Sequence, residues 1–315
     1  MDYLEQEIVL KTKTFFGQEV PLTISSAFLR RLENTVRPSV RMALEGTSAS
    51  VGAPPAWLEK ASDIRTLGFS EENGSSVLHL RAPQLGQAAP RLFEQQSFWP
   101  TAVSPEDTAL QVIGRIATAV GRRETSSDLY DRPLLRRLSA WRSFFDDQVE
   151  SVTFPFSHRR GELFTQLDQK VARDAQALSD QTPCPRQVRL VGKLDMVRHS
   201  TRSFGLLLDA EEEVRGFLLE GTSDVLHQYF GKEITILGKA VYRPSGLVLR
   251  VDASEILPTI EGRKAFSRVP PPLSCSRPPE RRLHTAKTGV VSFFGTWPGE
   301  ESDHELLQAL EEIRS

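Results

Sequence analysis

Between residues 187 and 256 apolar and polar residues alternate in five short runs, broken once by a helical spacing, and that order admits few folds. The run 187–197 alternates around Gly192, as a bent, bulged strand would. Residues 204–208 and 213–219 read as the second and third strands. Residues 222–230 then take a helical spacing closed by Gly231. Two further strands, 233–242 and 247–252, meet across the turn residues Arg243, Pro244, Ser245 and Gly246. Five strands with a helix between the third and fourth predict a small five-stranded β-barrel. The order is that of an OB type, and an SH3-like barrel is the near alternative, which pattern alone does not separate.

The 315 residues leave room for a second domain of ordinary size, and 39% hydrophobic with 25% charged residues suit a globular chain. Residues 1–156 mix strand and helix signals, so the predicted fold class is α+β. In that region 64–69 and 77–81 flank Asn73 and Gly74, a pair suited to a type I′ hairpin turn. Residues 24–32 have a helical spacing ahead of Pro38, while 40–44 alternate as a strand would, setting Arg41 and Glu45 on one face. Residues 107–120 and 129–145 predict amphipathic helices, the second burying Leu134, Leu135, Leu138, Trp141 and Phe145. Residues 157–186 read as a helical bridge, with Leu163, Phe164, Leu167, Val171, Ala175 and Leu178 along one side of a helix over 161–178. Residues 257–288 form a linker with six prolines and seven basic side chains against two acids, a composition expected to be extended and mobile.

Charge and motifs narrow the function. A net charge of −2 supplies no global field for nucleic acid or an anionic membrane. The early acids of the N-terminus do not suit a signal peptide, no run reaches membrane-helix length, and Cys184 and Cys275 make no disulfide framework. These points predict a cytoplasmic protein with no membrane partner. The chain carries no HExxH, no CxxC, no G-x-S-x-G, no P-loop and no G-x-G-x-x-G. No catalytic residue, metal ligand or cofactor is therefore expected, and an enzyme would need an unmarked site in residues 1–156. A barrel of the OB type can take nucleic acid on its loops and one strand face. The basic residues placed for that are Arg198, His199, Arg202 and Arg243. Yet the barrel as a whole holds nine basic and ten acidic residues.

The segment 289–315 is of a different kind. An aromatic cluster, Phe293, Phe294 and Trp297, leads through Pro298 and Gly299 into an acidic helix. Ser302 and Glu305 have capping-box spacing, and Leu306, Leu310 and Ile313 form one apolar stripe. A helix of about a dozen residues is marginal alone in water, so it needs a surface to form on. Either this protein's own N-terminal domain or a partner could supply that surface.

The run from Phe294 through Gly295, Trp297, Pro298, Gly299 and Glu301 to Glu311 and Glu312 resembles the "FGxWPGDE…ELLxxLEEL" tail of small bacterial antitoxin-like proteins, with Glu300 in place of Asp and Ile313 in place of Leu. Such proteins pair with PIN-domain ribonuclease toxins. The resemblance implies a protein partner, a PIN-type ribonuclease, and neutralisation of it by the tail. The anchors would be Phe293, Phe294, Trp297, Leu306, Leu310 and Ile313.

Overall fold

The computed structural model describes residues 3–49, 53–94, 103–145, 148–158, 161–199, 201–209, 212–219, 224–259 and 266–272. Residues 1–274 cluster as one compact unit and 275–315 as another. All described residues belong to the first unit, which contains both an α+β half and a closed barrel.

The α+β half is built on an antiparallel sheet of order β2-β3-β1-β4-β5, from β1 (Tyr3–Thr12), β2 (Arg65–Glu72), β3 (Ser75–Pro83), β4 (Val149–His158) and β5 (Gly161–Asp168). Along β1, Gln6, Ile8 and Leu10 are buried while Glu5, Glu7 and Lys11 are exposed, so only one face is covered. Helix α5 (Ala109–Gly121) lies on that face, with α1 (Leu22–Glu45) and α7 (Gln169–Gln181) packed beside it. The short helices α2 (Ala56–Ala61), α3 (Leu85–Ala88), α4 (Pro90–Glu94) and α6 (Arg132–Ser139) complete this half. Trp141, in a single 3-10 turn after α6, sits at the centre of an aromatic cluster with Phe28, Phe144, Phe145 and Phe154. Its indole N–H donates to Thr35 Oγ1 at 3.0 Å, which makes full burial of that ring tolerable.

The hairpin forms as predicted: Asn73 (φ 49°) and Gly74 (φ 72°) both take the left-handed conformation that a type I′ turn requires. Three other readings of this half are corrected. Residues 40–44 are not a strand, because α1 runs through Pro38 to Glu45 and makes Arg41 and Glu45 an i,i+4 ion pair at 2.6 Å. Pro38 cannot donate to the carbonyl of Asn34, but Arg137 does so from α6 at 3.4 Å. The segment 161–178 is not one helix. Its first eight residues pair with β4 as β5, and Asp168 then caps α7 through the Val171 amide at 2.8 Å. Strand β5 and helix α7 thus belong to the α+β half.

The barrel consists of β6 (Arg186–Arg198), β7 (Ser203–Leu207), β8 (Glu213–Leu218), α8 (Asp224–Gln228), β9 (Glu233–Tyr242) and β10 (Val248–Pro258). It closes in the order β10-β8-β7-β6-β9, and β8 pairs with β10 in parallel. That one parallel contact, between the third and fifth strands, gives the barrel OB topology. Leu190, Leu194, Phe204, Ile234, Ile236, Tyr242 and Val251 fill its interior. Gly192 allows close approach rather than forming the bulge: a Cβ there would lie 2.6 Å from the carbonyl oxygen of Leu207, and the register shift falls between Leu194 and Met196.

The linker also departs from expectation where it is described. Residues 266–272 lie along the barrel: Pro271 accepts from Arg186 at 2.9 Å, Pro270 from Tyr242 at 3.2 Å, and the Arg189 guanidinium stands 5.2 Å from the Phe266 ring centre.

Phe204 lies in the core with its ring over Gly216, where an added Cβ would come within 2.1 Å of it. Replacing Gly216 by Ala is expected to destabilise the protein by about 1–3 kcal/mol through overpacking. A lower urea midpoint would be the readout, and an unchanged midpoint would refute this packing account.

Candidate functional site

In an OB barrel, ligands are generally taken on the face of the second and third strands and on the loops joining strands one to two and four to five. Here Arg198 ends β6, the β6–β7 loop carries His199 and Arg202, and the β9–β10 loop begins at Arg243. The structure turns Arg198 and Arg243 inward onto the α+β half. The Arg198 guanidinium donates to the carbonyl of Leu92 in α4, and burial lowers its pKa. Arg243 donates through Nε to Asp128 at 2.9 Å and also binds the Val248 carbonyl, and its side chain is only 19% exposed. The Ser245 amide donates to the carbonyl of Thr125 at 3.0 Å. His199 and Arg202 remain exposed at the loop tip, with the His199 ring 5.9 Å from that of His227. The four residues predicted as a nucleic-acid surface are therefore split between an internal junction and solvent.

The centre of that junction is Asp131, which the sequence did not single out. As the N-cap of α6 its carboxylate accepts from the Leu134 amide at 3.2 Å. The same carboxylate accepts from the Ser48 amide at 3.1 Å, from the Ser48 hydroxyl, and from Arg250 Nη1 at 3.2 Å. Arg250, on β10, also donates to the carbonyl of Gly46 at 3.1 Å and to Asp252 at 2.8 Å. The Asp131 side chain is fully buried and that of Arg250 is 5% exposed. Gly46 ends α1 in the left-handed conformation, and an added Cβ would lie 2.9 Å from the Arg215 guanidinium and 3.1 Å from the Phe217 ring. Burial lowers the pKa of Arg215, with Asp128 opposing that shift and Arg243, Arg250 and Arg198 adding to it.

A cleft of about 230 Å³ opens beside this junction, with Asp128, Glu212 and Glu213 facing Arg215 and Arg243 among its walls. Three acids against two bases do not make a phosphate groove. A second cleft, about 680 Å³, lies between α1 and the β2–β3 edge, where Glu33, Arg37, Glu59, Lys60 and Asp63 surround an apolar floor that includes Leu32 and Leu80.

On the outer face of the sheet, three adjacent strands bring together Glu7 (β1), Glu72 (β2) and His79 (β3). One donor atom from each lies within 4.8 Å of the others. His79 Nε2 meets Ser70 Oγ at 2.6 Å, and its Nδ1 is 3.6 Å from Glu7. No linear spacing in the sequence marks this trio. The tail residues Phe293, Phe294, Trp297, Leu306, Leu310 and Ile313 lie outside the described residues. No helix among the described residues is long and apolar enough to cross a membrane. No family model, curated protein or solved structure matches the chain.

Two outcomes follow from the junction. Asp131→Ala strips Arg250 of a buried partner and should cost about 3–5 kcal/mol. Because the pair is shielded from solvent, the loss should be nearly the same at low and high salt, and unfolding curves at two ionic strengths would check both points. Glu45 tests the edge of the same junction. Burial raises its carboxyl pKa, while Arg41 and Arg202 pull it back. A raised folded value means that the native state favours the neutral acid. That contribution is complete below the ordinary carboxylate pKa and is lost as pH rises through the folded value. The stability of Glu45→Gln relative to the parent should therefore shift in favour of Gln between about pH 4 and 7, as measured by urea midpoints across that range.

Proposed function

We propose that this chain is a binding and regulatory protein whose compact unit serves as a scaffold and whose segment 289–315 engages a protein partner. One observation carries the reading. Of the two loops with which an OB barrel would ordinarily seize a ligand, the β9–β10 loop is committed to the protein's own α+β half through Arg243 and Ser245, and Arg198, at the root of the β6–β7 loop, is held by the Leu92 carbonyl. That commitment weighs against nucleic-acid capture by the barrel and leaves recognition to a surface outside it. The aromatic and leucine-bearing tail is the element of the sequence suited to docking, with Trp297 and Phe294 as anchors and Leu306, Leu310 and Ile313 as the apolar stripe. The partner class that the tail's resemblance supplies is a PIN-type ribonuclease, neutralised in an antitoxin-like manner. The acids of the tail would face a basic rim built to receive RNA.

The test is a paired capture from native extract with the full chain and with a chain ending at Thr288, read by mass spectrometry. A protein held only by the full chain supports the reading, and Trp297→Ala should then weaken that complex by about 2 kcal/mol or more. Identical captures by both baits would overturn it. Salt-steep binding of single-stranded nucleic acid that is lost in Arg202→Ala would instead restore the barrel as the recognition surface.

A further inference from the structure

We infer that Glu7, Glu72 and His79 form a binding site for a borderline divalent cation, of the Zn²⁺ class, on the uncovered face of the N-terminal sheet. The ladder sets the geometry. Glu7 and His79 are directly opposed across β1 and β3, and Glu72 reaches the same spot from the third adjacent strand. An extra residue at Leu67 bulges β2 between Thr66 and Gly68. Because strand side chains alternate with a period of two, that bulge turns Ser70 and Glu72 outward to join His79 and sends Phe69 to the core side.

The chemistry of the donors is specific. An imidazole nitrogen with two carboxylate oxygens suits a borderline cation better than the all-oxygen sets that Mg²⁺ and Ca²⁺ prefer. Zn²⁺ holds such atoms about 2.0–2.2 Å away, which sets tetrahedral neighbours about 3.4 Å apart. The three donor atoms here lie within 4.8 Å of one another, and a bound ion would draw them to that closer spacing. Ser70 Oγ holds the far ring nitrogen of His79, the role that outer-shell partners play for metal-bound histidines. The facing nitrogen lies 3.6 Å from Glu7, too long for a hydrogen bond.

The charges around the trio point the same way, independently of its geometry. The neighbouring cations of this face are committed to other acids, Arg81 to Glu5 at 2.5 Å and Lys11 to Glu150 at 2.8 Å. The two converging carboxylates thus share this spot with the His79 imidazole. A divalent cation balances them. Three protein donors leave a coordination position open to water.

The full-length chain, stripped with chelator, would be titrated with ZnCl₂ by calorimetry. One equivalent is expected that weakens at least tenfold in His79→Ala and in the shape-preserving double variant Glu7→Gln/Glu72→Gln, and about tenfold in Ser70→Ala. His199→Ala, on the barrel, should leave that equivalent unchanged. Circular dichroism and thermal unfolding of the stripped variants would show that they retain the fold. Absence of a stoichiometric equivalent, or one that survives both His79→Ala and the double variant, would overturn the proposal.

Discussion

One buried carboxylate joins the two halves of this molecule. Asp131 accepts from a helix N-terminus, from both donors of Ser48 and from a barrel arginine, so its lost hydration is replaced by four protein donors. The two helix ends that meet there complement it. Asp131 sits at the N-terminus of α6, where the helix dipole is positive, and Arg250 binds the Gly46 carbonyl at the C-terminus of α1, where it is negative. A buried ion pair alone rarely adds much stability. Here it is part of two helix caps, so removing either partner would disturb a cap as well as the pair.

The same junction accounts for the arginines of the barrel. Nine basic side chains are spread over residues 187–256, and four of them, Arg198, Arg215, Arg243 and Arg250, gather at the side facing the α+β half. The acids that meet them, Asp128 and Asp131, come from that half. A count of charges over the barrel comes close to neutral and conceals this one-sided distribution. Its origin is an internal interface, so a cluster of arginines on an OB barrel is not by itself a nucleic-acid site.

What was legible in the sequence was local. The Asn73 and Gly74 turn, helix α5 and all five barrel strands follow from patterns within a few residues. What was not legible depended on distant partners. Pro38 looked like a helix stop because the group that satisfies the Asn34 carbonyl comes from Arg137, about a hundred residues on. Strand β5 looked helical because Leu163, Phe164 and Leu167 are spaced three and four apart. Its pairing with β4 decides otherwise, burying Leu167 and leaving Phe164 61% exposed on an edge strand. The Glu7, Glu72 and His79 trio depends on register and on one bulge, neither of which local spacing reveals.

The junction did leave one mark in the sequence. A strand in an isolated small barrel has one face inward and one face wet, so its residues should alternate. At the end of β9, Ala240, Val241 and Tyr242 are apolar in succession, and early in β10 so are Val248, Leu249 and, past Arg250, Val251. Ala240, Tyr242 and Val251 point into the barrel, whereas Val241 and Leu249 join the core of the α+β half. A strand pair that is apolar on both faces must be covered on both. With no second sheet in the barrel to cover it, the outer cover has to come from elsewhere, and Arg250 in the middle of that apolar run then needs a buried acid. Those two deductions identify the barrel edge at which the halves meet, and they show that β9 and β10, rather than the predicted loop residues, were the signal to follow.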